Sequence, residues 1–144
     1  MERVVFDTNV WISGLLWRGK PYQCLLLVRA GVVRRAYCPA MLRELVDKLR
    51  EKFGFSANRI QAARYGLTSK AELVEITGSL RAAPEDPADD KFLECALVSG
   101  VPRIVSGDTH LPALREYQGI KIVSAAEFLV SLEHRSITSL GEIP

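Results

Sequence analysis

Four acidic residues of this 144-residue chain stand where a carboxylate could do chemistry. VVFDTNVWIS, residues 4–13, is an apolar, β-branched run that stops at Asp7 and continues with Thr8 and Asn9. RIVSGDTHL, residues 103–111, repeats the device and puts Asp108 just past a second short run. Ligands of open α/β sheets bind beyond the carboxyl ends of the strands, so both positions are candidates. The structural alternative for each is a loop aspartate making an Asx-turn. In DPADDKFLECAL, residues 86–97, Asp86 can cap a helix, Pro87 suits its first turn, and Asp89 can back up the cap. Asp90 lies about 90° from the centre of the apolar face formed by Phe92, Leu93, Ala96 and Leu97, at the edge where such a helix meets a sheet. Glu94 points more toward solvent. The fourth candidate is Glu44 in PAMLRELVDKL, and here the helical wheel argues the other way. Glu44 falls roughly 140° from the centre of its helix's apolar face, which favours a solvated glutamate.

If Asp7, Glu44, Asp90 and Asp108 converge, their charges must be balanced. Two unit charges about 4 Å apart repel by about 4 kcal/mol at an effective dielectric near 20. A divalent cation removes that penalty, and oxygen-only ligands favour Mg²⁺ or Mn²⁺ over zinc. Such an ion lowers the pKa of a bound water and stabilises charge on phosphoryl and leaving oxygens. The chemistry implied is phosphodiester hydrolysis without a protein nucleophile.

The elements that must position these acids follow from periodicity and punctuation. Strands are expected at Val4–Phe6, Val32–Cys38, Glu72–Thr77, Arg103–Ser106 and Ile120–Val123. Helices are expected over Thr8–Trp17, Tyr22–Ala30, residues 40–53, Ser56 to about Tyr65, residues 88–99 and, capped by Ser124, residues 125–134. The Gly78–Ala88 stretch, with two prolines, reads as a loop. Short apolar strands alternating with helices imply a parallel sheet covered on both faces. The expected organisation is one domain, residues 1–134, and a polar tail, residues 135–144.

Composition narrows the class. Hydrophobic residues are 48% and charged residues 25% of the chain, as in an ordinary globular protein. No apolar run of about 18 residues exists, so a membrane span is not expected. Asp7 interrupts the apolar stretch a signal peptide would need, and the expected compartment is the cytoplasm. Cys24, Cys38 and Cys95 are widely spaced among apolar residues and read as reduced, buried thiols. Two histidines, His110 and His134, make no zinc pattern. The net charge of +2 hides an asymmetry: residues 1–70 hold 13 Lys/Arg against 5 Asp/Glu, and residues 71–144 hold 6 against 12. A fold that mixes the halves would set a basic rim beside an acidic pocket, a surface suited to a polyanion. Charges scattered over solvated helix faces are the other reading. Arg18 and Lys20 stand in the loop after the opening helix and could flank the pocket. Arg34, Arg35, Arg43, Lys48, Arg50 and Lys52 could equally be surface charges. Trp11 and Trp17 could stack bases, although Trp11 sits inside a helix and reads as core.

VVFDTNVWIS, RELVDKL, DPADDKFLECAL and RIVSGDTHL, in this order and spacing, resemble the PIN-domain nucleases. Within them the chain is similar to small stand-alone PIN proteins related to VapC-type toxins of toxin–antitoxin pairs. The resemblance runs from Arg3 to about Leu132. It implies a three-layer α/β/α fold with a parallel sheet of order 3-2-1-4-5, which sets Asp7 beside Asp108. It implies metal ligation by Asp7, Glu44, Asp90 and Asp108, directly or through water. Thr8 and Asn9 of the D-T-N triplet and Ser106, where the family often has threonine, would support the cluster. The implied activity is Mg²⁺- or Mn²⁺-dependent cleavage of single-stranded RNA by an endoribonuclease. The implied partners are a cognate antitoxin and a second copy of the chain, as a homodimer. His110 stands where many relatives carry a further acid, which implies a weaker second metal or a histidine that meets a phosphate; the plainer reading, and the favoured one, is an exposed loop histidine.

Two other readings compete. Phosphatases of the haloacid-dehalogenase type also open V-x-F-D, but they need an acid two residues on, where this chain has Asn9. A PIN-like fold acting as an RNA- or protein-binding module, with weak or no catalysis, is the second alternative.

Overall fold

Val4, Val5 and Phe6 are at most 1% exposed, and around them the sheet is built. The computed structural model describes residues 2–82, 87–107 and 115–141. β1 (Glu2–Phe6) runs parallel to β2 (Val33–Tyr37) on one side and to β4 (Arg103–Val105) on the other. β3 (Glu72–Leu73) extends the sheet beyond β2, and β6 (Ile120–Val123) extends it beyond β4, both in parallel. A two-residue strand, β5 (Glu116–Tyr117), pairs antiparallel with β6 at the far edge. The full order is β3-β2-β1-β4-β6-β5. The expected order 3-2-1-4-5 is present, with β6 in fifth place and one antiparallel edge strand added. That strand owes its direction to the turn at Gln118 and Gly119, whose φ angles are 48° and 85°. Both are in the left-handed region that a tight hairpin turn requires.

Alternation along the strands makes two cores. Val4, Phe6, Val33 and Val105 point into one cluster, together with α1 (Thr8–Leu16), α2 (Lys20–Arg29), α4 (Ala57–Thr68) and α6 (Ala125–Gly141). Val5, Ala36, Ile104, Ile120 and Ile122 point the other way and meet Phe92, Leu93, Cys95 and Ala96 of α5 (Asp90–Ser99). The strand period of two therefore yields a three-layer α/β/α sandwich. α3 (Pro39–Glu51) feeds both cores, with Met41 on one side and Leu45, Val46 and Leu49 on the other.

Local chemistry sets the element ends. Pro39 opens α3 because its missing N–H is an orphan there in any case. Ser56 caps α4 by accepting from Arg59 N at 3.3 Å. Ser124 and Glu127 form a reciprocal cap on α6: Glu127 N donates to Ser124 Oγ at 3.1 Å and Ser124 N donates to Glu127 Oε1 at 3.2 Å. α6 continues to Gly141, past the end expected near residue 134. Gly100 ends α5 at φ 76°, where a side chain would be strained.

Two further expectations need correction. The third strand stops at Leu73 instead of reaching Thr77. Its partner β2 ends at Tyr37, and the chain beyond Val74 turns toward Glu94, which takes the N–H groups of Thr77, Gly78 and Leu80. Arg35 is buried at 4% exposure, unlike a surface charge. It donates to the carbonyls of Leu67 (3.0 Å), Gly66 (2.6 Å) and Ser69 (2.6 Å), closing the C-terminal turn of α4. Burial lowers its pKa. Its guanidinium also lies 5.7 Å from the ring centre of Trp11, itself core as expected. All three cysteines are free and buried.

Candidate active site

Asp7 is the residue after β1, and the neighbouring β4 places its partners. Phe6 is in register with Val105, and Asp7 N donates to Val105 O at 3.0 Å, so the next residues along, Ser106 and Gly107, come alongside the carboxylate. Asp7 Oδ1 caps α1 by accepting from Val10 N at 2.9 Å. Oδ2 accepts from Ser106 Oγ at 2.5 Å and from Gly107 N at 3.2 Å. The side chain is 2% exposed, so these bonds fix its direction.

Next to it is a small cavity of about 50 Å³ lined by Asp7, Thr8, Asn9, Glu44, Lys48, Ala88, Asp89 and Phe92. That volume holds an ion or one or two waters. It lies past the carboxyl end of β1, beside β4. Glu44 reaches it although the wheel points the side chain outward, because the second turn of α3 passes the cavity mouth. There the carboxylate is held by cations. Lys91 Nζ pairs with Glu44 Oε2, and Lys48 Nζ stands 3.6 Å from Oε1.

At the head of α5 two adjacent aspartates meet different surroundings. Asp89, in a 3₁₀ turn (Pro87–Asp89) just before the helix, lines the cavity and is buried at 5% exposure. Asp90 is equally buried but is not among the lining residues; its Oδ1 accepts from Ala82 N at 2.8 Å. Sequence reasoning had assigned Asp89 to capping. Asp89 stands in the 3₁₀ turn, where three residues complete a circle, so a 100° wheel drawn on α5 does not place it.

The remaining candidates divide. Asn9 and Thr8 line the cavity and Ser106 bonds Asp7, so all three supporting residues are at the site. Arg18 and Lys20 are exposed near the start of α2 and are not among the lining residues. Arg18 lies instead over the Tyr22 ring, 5.6 Å from its centre. Asp108 and His110 lie outside the described residues, as does Asp86. Among the described residues no three carboxylates, histidines or cysteines are grouped closely enough to hold a metal ion as they stand. Glu44 is drawn to lysines and Asp90 to the backbone of Ala82, which accounts for the spread.

One acid near the site has a purely structural task. Burial would raise the pKa of Glu94, but donors from Thr77, Leu80 and Gly78 outweigh it and hold the carboxyl below the ordinary glutamate range. At the start of α3, the Cys95 thiol, together with the N–H groups of Met41 and Ala40 and the nearby Lys91, brings Cys38 down to about 7 against the opposing effect of burial. Cys95 is pushed up in return. Burial raises Cys24 to about 11.

No described helix is long and apolar enough to cross a membrane. A family model described as a PIN domain matches residues 3–110. A comparison with curated protein sequences returns no match. Among solved structures, the chain is similar to the one titled "Crystal structure of DNA bound VapBC from Salmonella typhimurium", with a TM-score of 0.57 and 18% identity over 87% of this chain and 99% of that chain. At that identity the likeness is one of fold.

Proposed function

The chain belongs to the PIN-domain family, and on that premise we propose that it is a divalent-metal-dependent endoribonuclease acting on single-stranded RNA. The observation that carries the reading is the meeting of Asp7, Glu44 and Asp89 at one small cavity beyond β1. These donors are oxygen-only, which fits Mg²⁺ or Mn²⁺ and does not fit zinc. Asp7, Glu44 and Asp89 line that cavity but are not grouped closely enough to hold an ion as they stand, so holding it would require them to draw together, with Asp108 and Asp90 as the remaining members of the expected set. When bound, the ion supplies an activated water and charge stabilisation at the phosphoryl group. The chain's own groups do the positioning. Ser106 and Gly107 N fix Asp7 Oδ2, and the α1 cap fixes Oδ1. Asn9 and Thr8 form the wall against which the acids sit.

We propose further that the chain is the toxin of a toxin–antitoxin pair, with an antitoxin partner, a homodimer and a cytoplasmic site of action; the fold it shares with a structure titled as VapBC is in keeping with the toxin role. The proposed unit is one domain over residues 1–134, and the segment 135–144 proposed as its tail begins within α6, which runs to Gly141. The observation favouring the alternative, a binding module with little catalysis, is the pairing of Glu44 with two lysines.

An assay of single-stranded RNA cleavage with Mg²⁺, Mn²⁺ or EDTA separates the two. The parent chain is expected to cut with metal and not with EDTA, and Asp7→Asn to lose more than about a hundredfold. Retained RNA or partner binding without cleavage under either metal selects the module.

A further inference from the structure

The small cavity and a groove along α3 share two lining side chains, Glu44 and Lys48. Glu44 has the same sign as Asp7 and Asp89, so among the described residues Lys48 is the one cation that lines the cavity. The groove carries four cations: Arg43, Lys48, Lys52 and Lys91. Lys91 is taken up by Glu44 Oε2 and by Ala88 O, and its side chain is only 14% exposed. Arg43 and Lys52 are exposed and do not line the cavity. Lys48 stands between these cases. Its side chain is 34% exposed, and its Nζ is 3.6 Å from Glu44 Oε1, a loose pair between residues one helical turn apart. Pairs of that kind contribute little to a helix, so the ammonium can turn to another anion at small cost.

We infer that Lys48 holds the phosphate at which the strand is cut, presenting it at the mouth of the acidic cavity. This rests on the nuclease reading above. Size fixes where the strand stops. A cavity of about 50 Å³ cannot admit a nucleotide, so the strand lies in the groove and a phosphate alone reaches the mouth. Sign fixes what that phosphate needs. It arrives negatively charged beside Asp7, Glu44 and Asp89, and is repelled by each. An ammonium on the cavity wall offsets the repulsion at that one position, and its hold tightens as charge builds on the phosphoryl oxygens during cleavage. Arg43 and Lys52 meet the strand away from the cut and add affinity. Lys48 meets it at the cut, and so adds rate as well.

The test begins by mapping the bond that the parent chain cuts in a single-stranded RNA oligonucleotide. Steady-state kinetics on that oligonucleotide then compare the parent with Lys48→Gln, Lys48→Arg and Lys52→Gln. Lys48→Gln is expected to lose about tenfold or more in kcat, and Lys48→Arg to recover part of it. Lys52→Gln is expected to act on KM instead. Binding gives a readout apart from catalysis. In Asp7→Asn chains, fluorescence anisotropy compares the same oligonucleotide with one whose mapped linkage is an uncharged methylphosphonate, both with a 2′-O-methyl sugar at that position. The preference for the charged linkage is expected to fall about fivefold when Lys48→Gln is added, and to hold when Lys52→Gln is added. A preference that survives Lys48→Gln, or an unchanged kcat, overturns the inference and leaves the nuclease reading intact. An equal loss of preference in both variants overturns it too, since a diffuse field would then suffice. A parent chain that cuts nothing removes the nuclease reading, and the inference with it.

Discussion

Asp89 and Asp90 adjoin at the head of α5 and face different surroundings. Asp89 lines the acidic cavity, and Asp90 receives the Ala82 N–H. Their amide variants therefore part ways. On the proposed reading Asp89→Asn is expected to reduce cleavage by more than about tenfold, since a carboxylate that would border the metal becomes a neutral amide. Asp90→Asn is expected to reduce stability by about 1 kcal/mol through its weakened charge-assisted bond to Ala82, with a smaller effect on rate. Urea midpoints and initial rates on the two purified variants measure both. If Asp90→Asn is the more damaging to rate at unchanged stability, the cavity is misassigned. Asp7 was legible in the sequence because an apolar run ending in an acid has one place to go in a parallel sheet. Asp89 was not, because the signal used for it was helical periodicity, and it stands one residue before the helix begins. Glu44 was legible only through family likeness. Its position depends on where α3 crosses the cavity, which no local pattern encodes.

The elements carry a second acid with the opposite kind of task. Glu94, one turn into α5, gathers the loop after β3 by accepting from Thr77 N at 2.7 Å, Thr77 Oγ1 at 2.9 Å, Gly78 N at 3.3 Å and Leu80 N at 3.3 Å. That loop leads to Ala82, and Ala82 N in turn meets Asp90. Its folded pKa is depressed, so the folded state binds fewer protons than the unfolded chain in the window between the two values. The stabilisation is fully present above the unfolded value of about 4.3 and is lost as pH falls through that value toward the folded one. Glu94→Gln is expected to cost about 1–2 kcal/mol at pH 7 and to flatten the fall in stability below about pH 5, so that the two curves converge in acid. Urea unfolding at a series of pH values checks this; parallel curves would mean that Glu94 does not hold the loop as an anion. The same loop explains why the third strand was read too long. Residues 72–77 have strand-like composition, but from Thr77 onward the backbone donors of Thr77, Gly78 and Leu80 are taken by Glu94, a side chain from another layer. β5 was missed for a simpler reason: two residues carry no periodicity, and only the positive-φ turn after them marks the hairpin.

Charge is distributed unevenly over the molecule, and on the proposed reading the cations would serve binding and the acids cutting. The first 70 residues supply most of the cations, and part of that excess is spent internally, as with Arg35 under α4. What remains along α3 is a groove of about 480 Å³ lined by Ala40, Arg43, Glu44, Asp47, Lys48, Glu51, Lys52 and Lys91, which shares Glu44 and Lys48 with the acidic cavity. A polyanion entering the cavity would therefore pass Arg43, Lys48 and Lys52, while Asp47 and Glu51 keep the groove from binding it without limit. Single-strand binding releases counterions with a slope of about −0.7 per phosphate neutralised. Of the four cations lining the groove, Lys91 is held by Glu44, and the other three predict a log–log salt slope near −2 for a single-stranded oligonucleotide. The cleavage-deficient Asp7→Asn chain allows this to be measured without loss of substrate, by fluorescence anisotropy across a range of KCl concentrations. Adding Arg43→Gln and Lys52→Gln, neither of which lines the acidic cavity, should bring the slope down to about −0.7. The melting midpoint should hold, since both side chains stand on the surface of α3. An unchanged slope would place the strand on some other face, and the overlap between groove and cavity would then have no bearing on how RNA arrives.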